Sequence, residues 1–303
     1  MERFIEVIGF GALNCDTICK VDKIPSPGQE VGVISVERQP GGSAANTIVG
    51  LARLGVRTGF LGVIGDDVKG GLLLDDLRHE NVDVQGISRL EGYTGTALAF
   101  IDAAGERTIY VLPSVNDAYS AENCDYVRQA AILHVSSFMT AQQLRLQIEC
   151  VNRAKDQGTR ISFSPGNAYA ALGLEQLTSL IERAAIVFLN DEEAQALTGT
   201  AYAESADSLL RLGAETVAIT LGSEGCYIAT RDEHIVVPAF ETKVRDTIGA
   251  GDAFAAGFLY GQLRKASAYQ SGLYGNYFAS KCIAELGARK GLTFTAEELS
   301  QIQ

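Results

Sequence analysis

Residues 246–258 read DTIGAGDAFAAGF, with two glycines and an aspartate at the apparent first turn of a helix and a second aspartate six residues earlier. A glycine inside a helix costs about 1 kcal/mol relative to alanine. The small residues that follow also give up core volume. A chain that accepts both costs in one place needs its backbone close to something. The unpaired N–H groups of a helix N-terminus carry partial positive charge and suit an anion. Gly249, Ala250 and Gly251 would let those groups converge on a phosphate. Asp252, in the same turn, would be a carboxylate beside the phosphoryl group. With a reference pKa of ~3.9 it is ionised at neutral pH and can accept a hydroxyl proton. The helix terminus is expected to hold it ionised. The plainer reading of Asp252 is a favourable first-turn acid. No GK[ST] follows, so the stretch is not a Walker A loop.

Outward from this stretch, apolar runs alternate with amphipathic ones. Segments 4–11, 58–65, 130–135, 160–164, 185–190 and 216–222 read as strands buried on both faces. Stretches 43–54, 67–79, 140–157 and 204–212 read as helices. That alternation predicts an α/β fold, a mainly parallel central sheet covered by helices on both sides. Segments 14–39 and 94–112 alternate at period two around turns at PSPG and AAGE, so they read as hairpins with one solvated face. They would form a small separate sheet, which reads as a lid or, more plainly, as an edge extension or a dimer surface.

The chain has 303 residues, 47% hydrophobic and 20% charged, which fits one large domain or two small ones. Glycine is in excess, at 32 residues, as expected where backbone must approach a ligand or turn tightly. A net charge of −12 is the wrong sign for gripping nucleic acid or an anionic membrane. The six cysteines are scattered without a CxxC pair and there are three histidines, so zinc is not expected and reduced, buried thiols are. MERFIEVIGFG enters a strand pattern directly, with no secretory signal, and no apolar run reaches the ~18 residues of a membrane span. The expectation is a cytoplasmic protein.

Three more stretches carry chemistry. QPGGSAANTIVGLARLG (39–55) places Gly41 and Gly42 before a helix with Asn46 in its first turn. NDEEAQALTG (190–199) ends a strand, and Asn190 and Glu193 would share one face of the helix that follows. There they could sit near an oxygen-preferring cation or its water shell, or simply cap the helix. TLGSEG (220–225) is a strand followed by a glycine turn. The GFG at 9–11 lacks the third glycine of a dinucleotide fingerprint and precedes a hairpin pattern, which argues against a dehydrogenase.

Taken together these residues resemble the ribokinase-like (PfkB) carbohydrate kinase family. GGSAANTIVGLARLG and DTIGAGDAFAAGF resemble its two signatures, and NDEEAQALTG and TLGSEG match in order and spacing. The resemblance runs from GALNCD (11–16) to ELGARKG (285–291). It implies one ribokinase-like kinase domain over 1–303, with lid strands from about 12–40 and 92–112, transferring the terminal phosphoryl group of ATP to a sugar hydroxyl. By the same resemblance Asp252 is the general base, and Gly249, Ala250 and Gly251 are the anion hole. Asn14, Asp16, Gly42, Ser43, Asn46 and Ser137 match the acceptor pocket. Asn190 and Glu193 match the pair associated with Mg²⁺ and its waters. Thr220, Gly222, Gly225 and Asn276 match nucleotide-binding positions. Asp246 and the Ile248 carbonyl match the near side of a monovalent cation site, for K⁺, whose far side would come from backbone around 284–288. A homodimer through the lid is also expected.

The acceptor stays open at this level. Ser43 stands where ribokinases carry Lys, and Ser136, Ser137 and Met139 lie where they place a sugar-contacting Glu. A more apolar pocket would suit a nucleoside. A sugar phosphate would need cations such as Arg38, Arg107 or Arg160 facing it. ADP in place of ATP as donor is likewise open. A sensor that binds without turnover would have lost the base, the glycines or the Asn190–Glu193 pair, and all are present.

Overall fold

The computed structural model describes residues 4–104 and 106–302, so Met1–Arg3, Gln303 and Gly105, in the AAGE turn, lie outside the described residues. The first half of the chain runs β1 (Ile5–Phe10), β2 (Asn14–Val21), β3 (Val33–Gly41), α1 (Ser43–Arg53), β4 (Thr58–Gly65), α2 (Val68–His79), β5 (Ile87–Leu90), β6 (Thr96–Ile101), β7 (Arg107–Leu112), β8 (Ala130–Ser136) and α3 (Ala141–Asp156). The second half runs β9 (Arg160–Ser164), α4 (Gly166–Ala170), α5 (Leu174–Ile181), β10 (Ile186–Asn190), α6 (Asp191–Thr198), α7 (Tyr202–Leu212), β11 (Thr216–Thr220), β12 (Cys226–Thr230), β13 (His234–Val237), α8 (Ala250–Leu263), α9 (Ala268–Ile283) and α10 (Ala296–Ser300).

β4 is buried at every position, which requires cover on both faces and pairing on both edges. It receives both inside a nine-stranded sheet of order β13-β12-β11-β10-β9-β8-β1-β4-β5. Pairing is parallel from β5 through to β11, and β12 runs antiparallel to both of its neighbours. The six buried strands expected from the sequence are all in this sheet. The period-two segments form the second sheet, of order β3-β2-β6-β7. Its two hairpins, β2–β3 and β6–β7, are antiparallel, and a parallel β2–β6 pair joins them, Thr17 opposite Leu98. The edge strands of this small sheet leave Val33, Ile34, Val36, Ile109, Tyr110 and Leu112 exposed.

Two apolar clusters cover the faces of the large sheet, one around Phe10, Phe138 and Phe163, the other around Phe60, Phe188, Phe254 and Phe258. Each fully buried aromatic contributes about 1.5–3 kcal/mol by removal from water. The small residues after the GAGD stretch have their reason here. A Cβ on Gly257 would lie 2.4 Å from the Tyr274 carbonyl oxygen, so α9 packs directly on the α8 backbone. The volume given up by side chains is taken by a neighbouring helix.

One expectation fails. Cys124 and Cys150 are joined as a disulfide, while Cys15, Cys19, Cys226 and Cys282 are free and buried. The pair is 26 residues apart, and the packing of α3 against the 3-10 turn at Ala121–Gln129 brings the two Cα atoms to 5.3 Å. Sequence spacing carries no trace of that contact. Among the described residues no helix is long and apolar enough to cross a membrane.

Candidate active site

A cleft of about 940 Å³ opens beyond the carboxyl ends of β9, β10 and β11, where open α/β sheets place their ligands. Asn190, Glu193, Thr220, Gly222 and Gly225 line it from those strand ends. Ala250, Gly251 and Asp252 line it from the start of α8. Gly249 is the N-cap of α8 in the left-handed conformation, φ 79°, and no side chain caps this helix end. The Ala250 N–H donates to the Thr247 carbonyl at 3.3 Å, and no side chain accepts from the other first-turn N–H groups, the condition an anion site needs. A Cβ on Gly249 would fall 2.4 Å from Ala288 Cβ, whereas one on Gly251 would meet nothing within 4 Å.

Asp252 sits in that first turn with both carboxylate oxygens held. Ser43 Oγ donates to Oδ1 at 2.6 Å, and Asn46 Nδ2 donates to Oδ2 at 2.8 Å. Thr47 Oγ1 donates to the Asp252 carbonyl at 3.2 Å. The first turn of α1 thus docks on the first turn of α8. The helix terminus is expected to hold Asp252 ionised, and burial works in the opposite direction. Burial pushes its pKa up, against the hydrogen bonds from Ser43 and Asn46 and the nearby Arg289 charge. A carboxylate whose pKa is raised by desolvation is a better proton acceptor.

Asp16 belongs to the same charge cluster. Its pKa is pushed to about 7 by burial and by the Asp252 charge, with Arg289 opposing. Its Oδ1 is buried with no hydrogen-bond partner among the described residues. Asn14 is pinned through its Oδ1, which accepts from Asn116 Nδ2 at 2.9 Å. Gly42 is demanded by packing, at φ 110° with a Cβ position 2.2 Å from the Ala12 carbonyl oxygen. Of the candidate acceptor residues Ser43 lines the cleft, and Asn14, Asp16, Gly42, Asn46 and Ser137 do not; Ser137 abuts Gly166, which does, its Oγ 3.4 Å from where a Cβ on Gly166 would stand. Of the three candidate arginines Arg107, on β7, lines the cleft, while Arg160 faces Glu215 at 3.8 Å and Arg38 is exposed away from it.

Asn190 and Glu193 form a capping box on α6. Glu193 N–H donates to Asn190 Oδ1 at 2.7 Å, and Glu193 Oε2 accepts from Asn190 N–H at 3.0 Å. The cap and the cleft-facing pair are one structure. Burial raises the Glu193 pKa, and the Asp252 and Glu192 charges raise it further against the Asn190 N–H bond. An uncompensated acidic excess of this kind fits a divalent cation. Among the described residues no group of three or more His, Cys, Asp or Glu side chains forms a protein-only cage. The Asn190 and Glu193 side chains offer the cleft oxygen donors, the type Mg²⁺ takes, directly or through water.

Asn276 Nδ2 donates to the Val237 and Pro238 carbonyls at 3.0 and 2.9 Å, fixing the chain that leaves β13 along the cleft. Asp246 Oδ1 accepts from Ile248 N–H at 3.0 Å, and its Oδ2 from Gly287 N–H at 2.8 Å. The Cys282 thiol lies 3.5 Å from the Ile248 carbonyl oxygen and 3.4 Å from that of Ala288. The two carbonyls thus meet at the Cys282 thiol, and the Asp246 charge acts on the same thiol, oxygens of the kind a monovalent cation takes.

Sequence reasoning missed Arg289. Its side chain is 11% exposed and its Nη1 donates to Asp76 Oδ2 at 2.6 Å, while its Nε donates to Asn46 Oδ1 at 2.8 Å. An arginine in GARKG reads as a solvated charge, and no local signal marks it otherwise.

With this geometry in view, residues 5–294 match the family model described as pfkB family carbohydrate kinase. The chain is 39% identical over 246 residues to an uncharacterized sugar kinase of Archaeoglobus fulgidus, covering 80% of this chain and 98% of that protein. It is 31% identical to an ATP-dependent ribose-1-phosphate kinase of Halopiger xanaduensis, over 96% of each chain. The ribokinase structure from Thermotoga maritima superposes with a TM-score of 0.87 over 99% of both chains, at 24% identity.

Proposed function

The chain belongs to the pfkB family of carbohydrate kinases and is an ATP-dependent sugar phosphotransferase, and we propose that Asp252 is the general base through which it works. The carboxylate held by Ser43 and Asn46 beside an uncapped helix N-terminus carries this reading. The acceptor hydroxyl attacks the terminal phosphorus of ATP, its proton passes to Asp252, and the bond to the ADP oxygen breaks. Phosphoryl transfer through a loose transition state asks for positioning and charge neutralisation. The N–H groups of Gly249–Gly251 would receive the charge of the transferred group. Thr220, Gly222, Gly225 and Asn276 would border the nucleotide. Mg²⁺, bound through water by Asn190 and Glu193, would neutralise phosphate charge. K⁺ between Asp246, the Ile248 carbonyl and the Ala288 carbonyl would shape the loop behind the anion hole. Residues 1–303 act as one kinase domain. The small sheet is its lid, excluding water from the cleft and, through its exposed apolar edge strands, pairing two copies. The protein works in the cytoplasm on small molecules, neither on nucleic acid nor at a membrane.

The acceptor is a free sugar, bound between Asn14, Asp16 and the first turn of α1. A sugar phosphate is the second reading. Arg107 lines the cleft, and the relative from Halopiger xanaduensis is an ATP-dependent ribose-1-phosphate kinase. Nucleosides complete the panel. A coupled assay with ATP across the three classes, with Asp252→Asn as control, tests both levels. We expect turnover on one class and a loss of about 10²–10⁴ in the variant, the usual worth of a positioned base. A variant with near-normal turnover overturns the assignment of the base.

A further inference from the structure

We propose that Arg289 is a positioning residue for phosphoryl transfer, orienting the Asn46 amide that holds the catalytic carboxylate. The inference rests on Asp252 being the base. Asn46 offers one acceptor oxygen and one NH₂ donor. Its two neighbours leave it no choice. The Arg289 Nε–H can only donate and meets Asn46 Oδ1 at 2.8 Å, while the Asp252 carboxylate can only accept and meets Asn46 Nδ2 at 2.8 Å. A flipped amide would set NH₂ against a guanidinium and oxygen against a carboxylate. Without Arg289 only the Asp252 carboxylate, among the described residues, would oppose that flip, and the Asn46 amide would hold its donor to Asp252 Oδ2 less firmly.

Arg289 is itself held. Asp76, on α2, accepts its Nη1 at 2.6 Å. Arg53 Nη1 donates to the Arg289 carbonyl, and the Arg53 side chain is fixed by Glu80. Burial lowers the guanidinium pKa, and the Asp76 and Glu80 carboxylates oppose that shift. Asp16, on β2, and Asp252, on α8, also feel that charge. A buried cation among these carboxylates is costly unless each member is paired. This one is paired, and its second donor is spent on a side chain that touches the base. The relay Asp76–Arg289–Asn46–Asp252 joins three helices, α2, α1 and α8, through the turn after α9.

The test is steady-state kinetics of the full chain with ATP as donor and D-ribose as probe acceptor, or ribose 1-phosphate where ribose is not turned over. Arg289→Met, Asn46→Ala, the double variant and Asp252→Asn are compared with the wild type. Arg289→Met is expected to lower kcat by about 10–100-fold, the range for a misplaced catalytic group, with KM for ATP within about twofold. Arg289→Lys, which can reach one partner but not fork between two, should restore part of the loss. The double variant should be no slower than Asn46→Ala alone, because both changes break the same link. If Arg289→Met does not fold, Asp76→Asn replaces it with the same pattern at smaller size. An unchanged kcat in the tested variant, or losses that multiply in the double variant, would overturn the proposal. Loss in Asp252→Asn alongside either result leaves the base in place, while activity in Asp252→Asn removes the premise instead.

Discussion

Gly249 and Gly251 stand two residues apart and answer to different demands. Gly249 is required by the fold, since its φ of 79° and the Ala288 side chain both exclude a Cβ. Gly251 is exposed, and no protein atom lies within 4 Å of where its Cβ would be. On the proposed function, a phosphate seated on the helix terminus would occupy that open space. Gly249→Ala is therefore expected to cost about 1–2 kcal/mol from backbone strain alone, read as a lower melting temperature. Gly251→Ala should melt like the wild type and lose at least about tenfold in kcat/KM for ATP, on the order of 1.4 kcal/mol of transition-state stabilisation. Equal melting and equal turnover would remove Gly251 from the anion site. Such residues were legible in the sequence because the helix start, the glycines and the acid all lie within one turn. Arg289 was not, because Asn46 and Asp76 lie 243 and 213 residues away along the chain. No window of sequence contains that triangle.

At the scale of elements, α6 shows how a structural and a chemical reading can coincide. Its first turn carries a complete capping box, and the same two side chains line the cleft. Asn190→Ala removes the cap and should cost about 1 kcal/mol of stability. It should also raise the Mg²⁺ concentration needed for half-maximal turnover. Asn190→Asp, an equally good cap, separates the two effects by restoring stability. Titrations of Mg²⁺ that are the same for wild type and Asn190→Ala would make the pair a cap alone. The long apolar strands were readable because burial on both faces leaves nothing polar to obscure them. β12 and β13 were not, being five and four residues long, at the sheet edge and joined by a tight turn. The parallel β2–β6 pair was hidden for another reason. Each hairpin declares its own antiparallel partner through its turn, but nothing local specifies how two hairpins lie side by side.

At the scale of the whole molecule, the small sheet keeps two open edges, β3 and β7, with Val33, Ile34, Val36, Ile109, Tyr110 and Leu112 exposed on them. Apolar edge strands invite pairing with another copy. Sedimentation at micromolar concentration should show a dimer, and Ile34→Glu with Ile109→Glu should shift it to monomer. A wild type that sediments only as monomer rejects the dimer. The large sheet has a further consequence, in time. β1 lies between β8 and β4, so a growing chain can pair one edge of its first strand early and must leave the other bare until β8 emerges, 125 residues after Ile5. Asp252 follows Ser43 by 209 residues. At ribosomal rates of about 5–20 residues per second, the hydroxyl and amide that will grip the base wait for it roughly 10–40 s. A nascent chain can therefore pair the strands of its sheet before Asp252 has been added.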